Sequence, residues 1–274
     1  MVEPAVYERV GQRLRQEAAK RPELAGIVDL YCALLEAQAQ AQVEPGTPLD
    51  ATEGADRLRH GLPLLSPEAL AADGPALAEL CDRIASIVAE HRPELADAVG
   101  AVRAWLNRER EHLGALAVEY LREGHIDEGE DAGVLAFVFD SALHPFLRAR
   151  ALALEPLVED GAWYRGFCPV CGGEPDFAAL DRQGGRRRLL CSHCDSEWTF
   201  QRVSCPFCGN NDPRRLAYYP SDDGVYRLNV CEACRRYIKT IDLREVAGER
   251  LLAVERVLTA GMDLAAQKAE YRRE

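Results

Sequence analysis

Eight of the ten cysteines in this 274-residue chain form four C-x-x-C pairs between residues 168 and 234. The first and third pairs each begin a C-P-x-C-G sequence, and a plainer pair follows each of them after 20 and 23 positions. One unit is therefore written twice, and each unit contains four thiolates, the number that one tetrahedral Zn or Fe site takes. The pairs are Cys168/Cys171, Cys191/Cys194, Cys205/Cys208 and Cys231/Cys234.

The local sequence explains how such a pair, a knuckle, binds a metal. Two cysteines three positions apart in a tight turn direct both sulfurs to one point. Prolines 169 and 206 fix φ inside the turn, and glycines 172 and 209 allow the positive φ with which the chain leaves it. Short strands are predicted just before each plainer pair, over 187–190 and 226–230. The duplicated order predicts that the first two pairs share one metal and the last two another; the alternative is a cross-brace joining the first and third pairs.

Disulfides and redox dithiols are the other uses of such pairs. Disulfides require an oxidising compartment, and residues 1–20 are charged, without the apolar segment of a secretory signal. A thioredoxin-like pair begins a helix that follows a strand in an α/β pattern, and this sequence has no such pattern. Two metal sites are therefore the better interpretation.

Composition and charge limit the remaining possibilities. A hydrophobic content of 47% is ample for one large or two modest domains. No apolar run approaches the ~20 residues that cross a bilayer, so we expect no membrane insertion. The net charge of −12 is uneven: residues 161–274 contain 18 Lys and Arg against 16 Asp and Glu, which leaves 15 against 29 in residues 1–160. Nucleic-acid binding by the acidic front half is disfavoured, because phosphate contacts need clustered cations.

Helical spacing of apolar residues predicts a helical body over the first 160 residues. The last helical region runs from Val134 to about Val158. Its first turns are nearly all apolar, so we expect it to be the central, most buried helix, with Pro145 and Pro156 interrupting or ending its segments. Six glycines and prolines in residues 43–65 predict a long irregular connection, either a surface loop or a partner-binding arm. A turn is expected over residues 124–133, and amphipathic helices over 243–273.

The remaining cysteines and two of the histidines have structural interpretations. Cys32 and Cys81 lie on or beside apolar stripes and are predicted to be small buried hydrophobic residues. His144 is predicted to be a hydrogen-bonded structural histidine. His193 is expected to point outward from its knuckle, because eight cysteines already complete both metal sites. The sequence contains no Ser/His/Asp set, phosphate loop or paired carboxylates, so no catalytic residue is predicted.

The cysteine region resembles the FdhE family of accessory proteins for respiratory formate dehydrogenases. The resemblance covers residues 165–271. It is carried by C-P-V-C-G at 168–172, L-C-S-H-C at 190–194 leading to Glu197-Trp198, the Cys205/Cys208 pair, C-E-A-C at 231–234 leading to Tyr237-Ile238-Lys239, and G-M-D-L-A at 261–265.

The resemblance implies a helical N-terminal domain followed by two tandem rubredoxin-like or zinc-ribbon modules, which is a multi-domain α plus small β fold. We place the helical domain at residues 1–162, the two four-cysteine metal ribbons at 163–200 and 201–242, and a C-terminal helical segment at 243–274 that packs on the helical body. The resemblance also implies that the eight paired cysteines are metal ligands. It implies a cytoplasmic protein that binds the formate dehydrogenase catalytic subunit before export through the twin-arginine pathway.

Three functions are considered for this sequence: a non-catalytic maturation factor, a nucleic-acid-binding double zinc ribbon and a rubredoxin-like electron carrier. Arg186–Arg188, Arg235 and Arg236 offer phosphate contacts, and Trp198 or Tyr237 offers base stacking, but a net charge of +2 over residues 161–274 disfavours nucleic acid. A carrier requires iron and exposed sulfurs. Trp198 and Tyr237 either form a partner-contact surface or cover the metal sites, and the acidic front half is suited to attract a basic signal peptide. The sequence leaves Fe and Zn equally open.

Overall fold

The structure, a computed structural model, describes residues 4–43, 49–124, 126, 131–159 and 161–273. The chain divides into two compact units. Unit 1 comprises Met1–Pro48 and Leu65–Ala153, and unit 2 comprises Leu49–Leu64 and Leu154–Glu274. The described residues form these α-helices: α1 (Pro4–Ala18), α2 (Ala25–Ala39), α3 (Ala51–Arg59), α4 (Gly74–His91), α5 (Ala96–Arg108), α6 (Leu113–Glu123), α7 (Ala132–Leu154), α8 (Leu252–Leu258) and α9 (Ala260–Lys268).

Unit 1 is the helical body that the periodicity predicts. Helix α4 contacts α2, α5 and α6. Among the helices that the structure describes, α7 contains the most buried residues, as expected. Two cysteines and a histidine occupy the predicted structural roles. Cys32 and Cys81 are buried, and burial raises the pKa of both thiols. His144 Nδ1 lies 3.1 Å from the Tyr7 hydroxyl. The largest fully buried side chains of unit 1 include Leu14, Leu77, Ile84, Leu106, Leu113, Phe139, Leu143, Phe146 and Leu147.

The expected break at Pro145 is wrong, because α7 continues through this residue to Leu154. A proline inside a helix leaves the carbonyl four residues earlier without its usual N–H donor. Here that carbonyl is Ser141 O, and the side-chain amide of Gln38 donates to it at 2.7 Å. Gln38 is itself 8% exposed, so a partner from α2 satisfies the buried carbonyl that the proline leaves open. Pro156 does lie beyond the helix end, in a short 3-10 turn over Glu155–Leu157.

The prediction of an irregular connection over residues 43–65 is also wrong for the described residues 49–65. Asp50 caps α3, because its carboxylate accepts from the backbone N–H groups of Thr52 at 2.8 Å and Glu53 at 3.4 Å. This capping holds the pKa of Asp50 below its usual range. A Cβ at Gly54 would lie 3.1 Å from Leu157, so α3 packs closely within unit 2. The segment is therefore an ordered part of unit 2, neither a surface loop nor an arm.

A six-stranded sheet forms the centre of unit 2. Its strand order is β3-β2-β1-β6-β5-β4. All neighbours are antiparallel except β1 and β6, which pair in parallel with Phe177 opposite Lys239. The predicted ribbons are thus the two halves of one continuous sheet, joined along this parallel pair. The strands are β1 (Pro175–Leu180), β2 (Arg187–Cys191), β3 (Glu197–Phe200), β4 (Leu216–Pro220), β5 (Tyr226–Cys231) and β6 (Arg236–Asp242).

The C-terminal helices cover one face of this sheet, which corrects the expectation that they pack on the helical body. Leu252 of α8 joins a buried cluster with Phe177 and Ile241. Ala266 of α9 joins a second cluster that contains Val230, Tyr237 and Tyr271. The apolar side chains of the two helices are buried here because alternate residues of β1, β5 and β6 present an apolar face.

The boundary between the two units differs from the predicted one. The first compact unit ends at Ala153 rather than near residue 162, and Leu49–Leu64 belongs with the cysteine-containing part. Half of the turn expected over residues 124–133, namely residues 125 and 127–130, lies outside the described residues. None of the helices in the described part of the chain combines the length and apolar character that crossing a membrane requires.

Candidate metal centres

Four sulfurs converge at the first centre, between the turn before β1 and the hairpin of β2 and β3. Cys168 and Cys171 lie in the first knuckle, Cys191 ends β2, and Cys194 lies in the β2–β3 turn. Cys168 Sγ is 3.7 Å from Cys194 Sγ, and Cys171 Sγ is 3.4 Å from Cys191 Sγ. All four ligand atoms lie within 4.8 Å of one another, and all four residues are buried.

Backbone N–H groups face these sulfurs, as the knuckle predicts. Val170 N and Cys171 N donate to Cys168 Sγ at 3.4 and 3.5 Å, and Gly173 N and His193 N donate to Cys171 and Cys191 Sγ at 3.4 Å each. Such donors spread the negative charge of metal-bound thiolates. Burial is the main cause that raises the pKa of Cys191 well above its usual range. A bound cation stabilises the thiolate form, so metal binding at this centre is expected to release protons.

The second centre repeats this arrangement in the other half of the sheet. Cys205 Sγ is 3.7 Å from Cys234 Sγ, and Cys208 Sγ is 3.7 Å from Cys231 Sγ. The four ligand atoms again lie within 4.8 Å of one another. The side-chain amide of Asn210 donates to Cys231 Sγ at 3.8 Å. The sulfurs therefore group in sequential order, and the cross-brace alternative is not the arrangement found.

The sulfur spacing is suited to a tetrahedral metal ion. Zn–S bonds of ~2.3 Å place tetrahedral sulfurs ~3.8 Å apart, whereas a disulfide requires ~2.05 Å. The observed Sγ–Sγ separations of 3.4 to 3.7 Å match the spacing around a tetrahedral metal ion and are too long for disulfide bonds. All ten cysteines are free thiols. These two groups could each hold one metal ion, and their chemistry does not distinguish Fe from Zn.

The two centres differ in their access to solvent. All four cysteines of the first centre are buried, whereas Cys208 of the second is exposed and Cys234 is partly exposed. The α3 segment, Leu49–Leu64, contributes to this cover. Leu64 N donates to Pro169 O at 2.9 Å, and a Cβ at Gly172 would lie 3.1 Å from Pro63. At the corresponding glycine of the second knuckle, Gly209, an added Cβ would meet nothing within 4 Å.

All four knuckles leave their turns through positive φ. Gly172 and Gly209 have φ of 82° and 71°, as the sequence predicts. The plainer pairs use Asp195 and Arg235 at the same position, with φ of 57° and 60°. A non-glycine residue is uncommon in this region of φ, so these two residues reveal that the same backbone turn is repeated where the sequence pattern is weaker.

Gly166 is a structurally required glycine that no sequence pattern predicts. A Cβ at this residue would lie 1.7 Å from the backbone oxygen of Pro206 and 2.7 Å from its carbonyl carbon. The chain entering the first knuckle therefore crosses directly over the second knuckle. Only the glycine before Phe167 could have signalled this contact, and a lone glycine has no specific pattern.

We expect Gly166→Ala to destabilise unit 2 by about 3 kcal/mol, the upper range for overpacking, because the opposing atoms are backbone and cannot rotate away. Urea titration of the metal-loaded protein, followed by tryptophan fluorescence and metal release, measures the effect. Gly261→Ala is the matched control, since a Cβ there meets nothing within 4 Å. An unchanged midpoint for Gly166→Ala would contradict the close approach.

Trp198 and Tyr237 are buried side chains rather than an exposed contact surface. Trp198 is 2% and Tyr237 4% exposed. Trp198 Nε1 donates to Arg165 O at 3.0 Å, and the Tyr237 hydroxyl donates to Asp263 at 2.8 Å. Neither side chain can stack on a base or a partner in this structure. Burial therefore contradicts the interpretation of these two residues as a partner-contact surface, and their covering of the metal sites stays a prediction.

The arginines considered as phosphate contacts have internal partners. Arg186 pairs with Asp181, Arg188 with Glu197, Arg235 with Glu232 and Arg236 with Glu174. Arg187 is buried and donates to Ser204 O at 2.9 Å. These contacts weaken the nucleic-acid hypothesis, because phosphate binding would have to displace four carboxylates.

Comparisons with known proteins agree on one family. A family model described as "FdhE, central domain" matches residues 167–202. "Protein FdhE homolog" of Aquifex aeolicus is 30% identical over 191 residues, covering 68% of this chain and 64% of that protein. The homolog of Pseudomonas aeruginosa is 31% identical over 271 residues, covering 85% of this chain and 77% of that protein. The crystal structure of the FdhE protein from Pseudomonas aeruginosa has a TM-score of 0.65 at 24% identity, covering 99% of this chain and 94% of that one.

Proposed function

Because this chain belongs to the FdhE family, we propose that it is a non-catalytic accessory factor for formate dehydrogenase, which binds the catalytic subunit in the cytoplasm and supports its assembly before export. The observation that carries this proposal is the 31% identity over 77% of the length of the Pseudomonas aeruginosa homolog. The chain spans 64% of the Aquifex aeolicus homolog, slightly less than two thirds of that protein.

In this proposal the eight paired cysteines hold two tetrahedral metal ions, Fe or Zn. The first centre is structural, because four buried ligands and the α3 segment enclose it. Elemental analysis of protein purified without oxygen tests the metal content, and two equivalents per chain are expected. A rubredoxin-like electron carrier is the second candidate, favoured only by the exposed Cys208. Visible absorption that bleaches reversibly on reduction would support the carrier.

The charge of the two units suggests how a client is recruited. With the boundaries that the structure gives, unit 1 contains 13 basic and 23 acidic residues, a net of −10, and unit 2 contains 20 and 22, a net of −2. An acidic surface attracts a basic segment through long-range electrostatics. A twin-arginine signal peptide has the charge to be attracted in this way.

We expect the intact, metal-loaded protein to capture a purified formate dehydrogenase catalytic subunit in a pull-down. Capture is expected to be stronger with the signal segment present and to weaken between low salt and ~0.5 M salt, where exposed charges are screened. Binding that depends on neither the signal nor the salt would remove the electrostatic part of the proposal. Failure to bind at all would contradict the client assignment. An unrelated exported protein with a twin-arginine signal is the control for specificity.

A further inference from the structure

A cavity of about 330 Å³ lies in unit 2 on the sheet face opposite α8 and α9. Tyr237 and Lys239 of β6 contact Asp263 of α9, so the alternate residues Ile238 and Thr240 face the other way, into the cavity. The segment after β3 forms the opposite wall. A hydrogen bond from Arg187 Nη1 to Ser204 O fixes this wall to the sheet.

The lining of this cavity is basic although the chain is acidic overall. Four arginines line it and no aspartate or glutamate does, in a chain of net charge −12. Two of the four, Arg227 and Arg236, are already paired with Asp242 and Glu174. Arg187 and Arg202 form no ion pair with any residue that the structure describes. No carboxylate of the described residues therefore compensates these two guanidinium groups.

Arg187 is an unusual place for a positive charge, because this residue is only 5% exposed to solvent. Burial lowers its pKa to about 10, so it remains protonated at neutral pH. Its described contacts are the Ser204 carbonyl and the ring of Phe200, whose centroid is 5.9 Å from the guanidinium carbon. A buried cation is unfavourable unless an anion accompanies it.

A buried hydroxyl in the same cavity also needs a partner. Thr240 is 2% exposed, and its Oγ1 has no hydrogen-bond partner among the residues that the structure describes. The side chain of Asn229 lies nearby on the cavity lining. Leaving a buried hydroxyl unpaired is unfavourable, so the observation points to a ligand that supplies the missing partner.

The second metal centre offers a different explanation for part of this arrangement. Cys205 and Cys231 also line the cavity, and four thiolates around a divalent ion have a net charge of about −2. That charge could balance Arg187, and Cys205 is indeed the group that favours the charged form of this arginine. It does not account for the exposed Arg202 or for the hydroxyl of Thr240.

We propose that this cavity binds a small phosphate-bearing molecule. Guanidinium groups bind phosphate through paired N–H donors, and a hydroxyl can donate to a further phosphate oxygen. The volume of about 330 Å³ is at the lower end of the ~300–1,000 Å³ of ligand pockets, which leaves room for an organic group beside the phosphate. Tyr218, 55% exposed at the cavity, provides an aromatic surface for that group. The site does not depend on the proposed formate dehydrogenase client.

Isothermal titration of the intact, metal-loaded protein with inorganic phosphate and with adenosine monophosphate tests the proposal. Saturable binding is expected, tighter for the ester. Arg202→Gln and Thr240→Val are each expected to weaken it about tenfold, the loss for removing one hydrogen bond to a charged group. Without ligand, Thr240→Val is expected to raise the melting temperature, because the unpaired hydroxyl is gone. A variant that binds ligand more weakly but melts at a higher temperature shows that the Thr240 hydroxyl serves ligand binding rather than stability.

Arg214→Gln is the matched control, since Arg214 is a surface arginine outside the cavity, paired with Asp212, with an 88% exposed side chain. The affinity of the Arg214→Gln variant for phosphate and for adenosine monophosphate is expected to equal that of the unmodified protein. Absence of saturable binding at millimolar probe would overturn the proposal, and so would an equal loss in the Arg214→Gln control. Succinate that binds as tightly as phosphate would overturn the assignment to phosphate. Metal content is measured for each variant, so that loss of a centre is recognised separately.

Discussion

Removing both metal ions from the intact protein is expected to unfold unit 2 while unit 1 keeps its helices. A structural thiolate site contributes ~10–16 kcal/mol in small zinc-finger peptides, which is as large as the net stability of a whole domain, ~5–15 kcal/mol. In unit 2 the four knuckles hold the ends of both half-sheets, so their release removes the constraint on β2, β5 and the turns between strands. Unit 1 instead contains its own buried core around α4 and α7.

Limited trypsin digestion with and without a chelator measures this result. The helical domain predicted at residues 1–162 would leave one resistant fragment, but the structure places Leu49–Leu64 in unit 2. Metal loss should therefore expose Arg57 and Arg59 of α3 to cleavage. Unit 1 should survive as two fragments that remain associated, one ending near α3 and the other ending near residue 153.

Restoring zinc before adding trypsin is the control, and it should protect α3 again. Far-ultraviolet circular dichroism on the same samples follows the helices of unit 1. Helical signal that collapses together with metal loss would contradict the independence of the two units. Resistance at Arg57 and Arg59 in the chelated protein would contradict the dependence of α3 on unit 2.

The second metal centre is expected to lose its ion at least about tenfold faster than the first, which corresponds to about 1.4 kcal/mol in the barrier. A chelator must reach the thiolates to displace them, and Cys208 is exposed whereas all cysteines of the first centre are buried. Stopped-flow measurement with a chromogenic chelator should show two phases of one equivalent each. Alkylation by iodoacetamide, located by mass spectrometry, should modify Cys208 first.

Two equivalent substitutions assign the phases. Cys208→Ser and Cys171→Ser each remove the second cysteine of a C-P-x-C-G knuckle. Cys208→Ser should abolish the fast phase and leave the slow one. Cys171→Ser should remove the slow phase and destabilise the first half of the sheet. Equal release rates from both centres, or alkylation of Cys171 before Cys208, would show that exposure does not control access.

Local geometry explains why the candidate site could be predicted from the sequence. A knuckle is defined by cysteines three positions apart and a positive φ at the next residue, and both features are written within five residues. The eight cysteines and their sequential grouping follow from two such units in a row. Strands β2 and β5 were predictable for the same reason, because they lie immediately before the second cysteine pair of each unit. The burial of Cys32 and Cys81 follows from periodicity alone.

Contacts between distant parts of the chain were decided only by the tertiary structure. Three examples are the parallel pairing of β1 with β6, the attachment of α3 to unit 2, and the covering of the sheet by α8 and α9. Each depends on two complementary surfaces, and the sequence of one surface does not show which other segment it will contact. The glycine at 166 matters only because the Pro206 backbone lies against it. Pro145 remains helical because the side chain of Gln38, 103 positions away from Ser141, donates to the carbonyl that the proline cannot pair. Sequence patterns report the nearest few residues, whereas these outcomes depend on which distant groups packing brings within bonding distance.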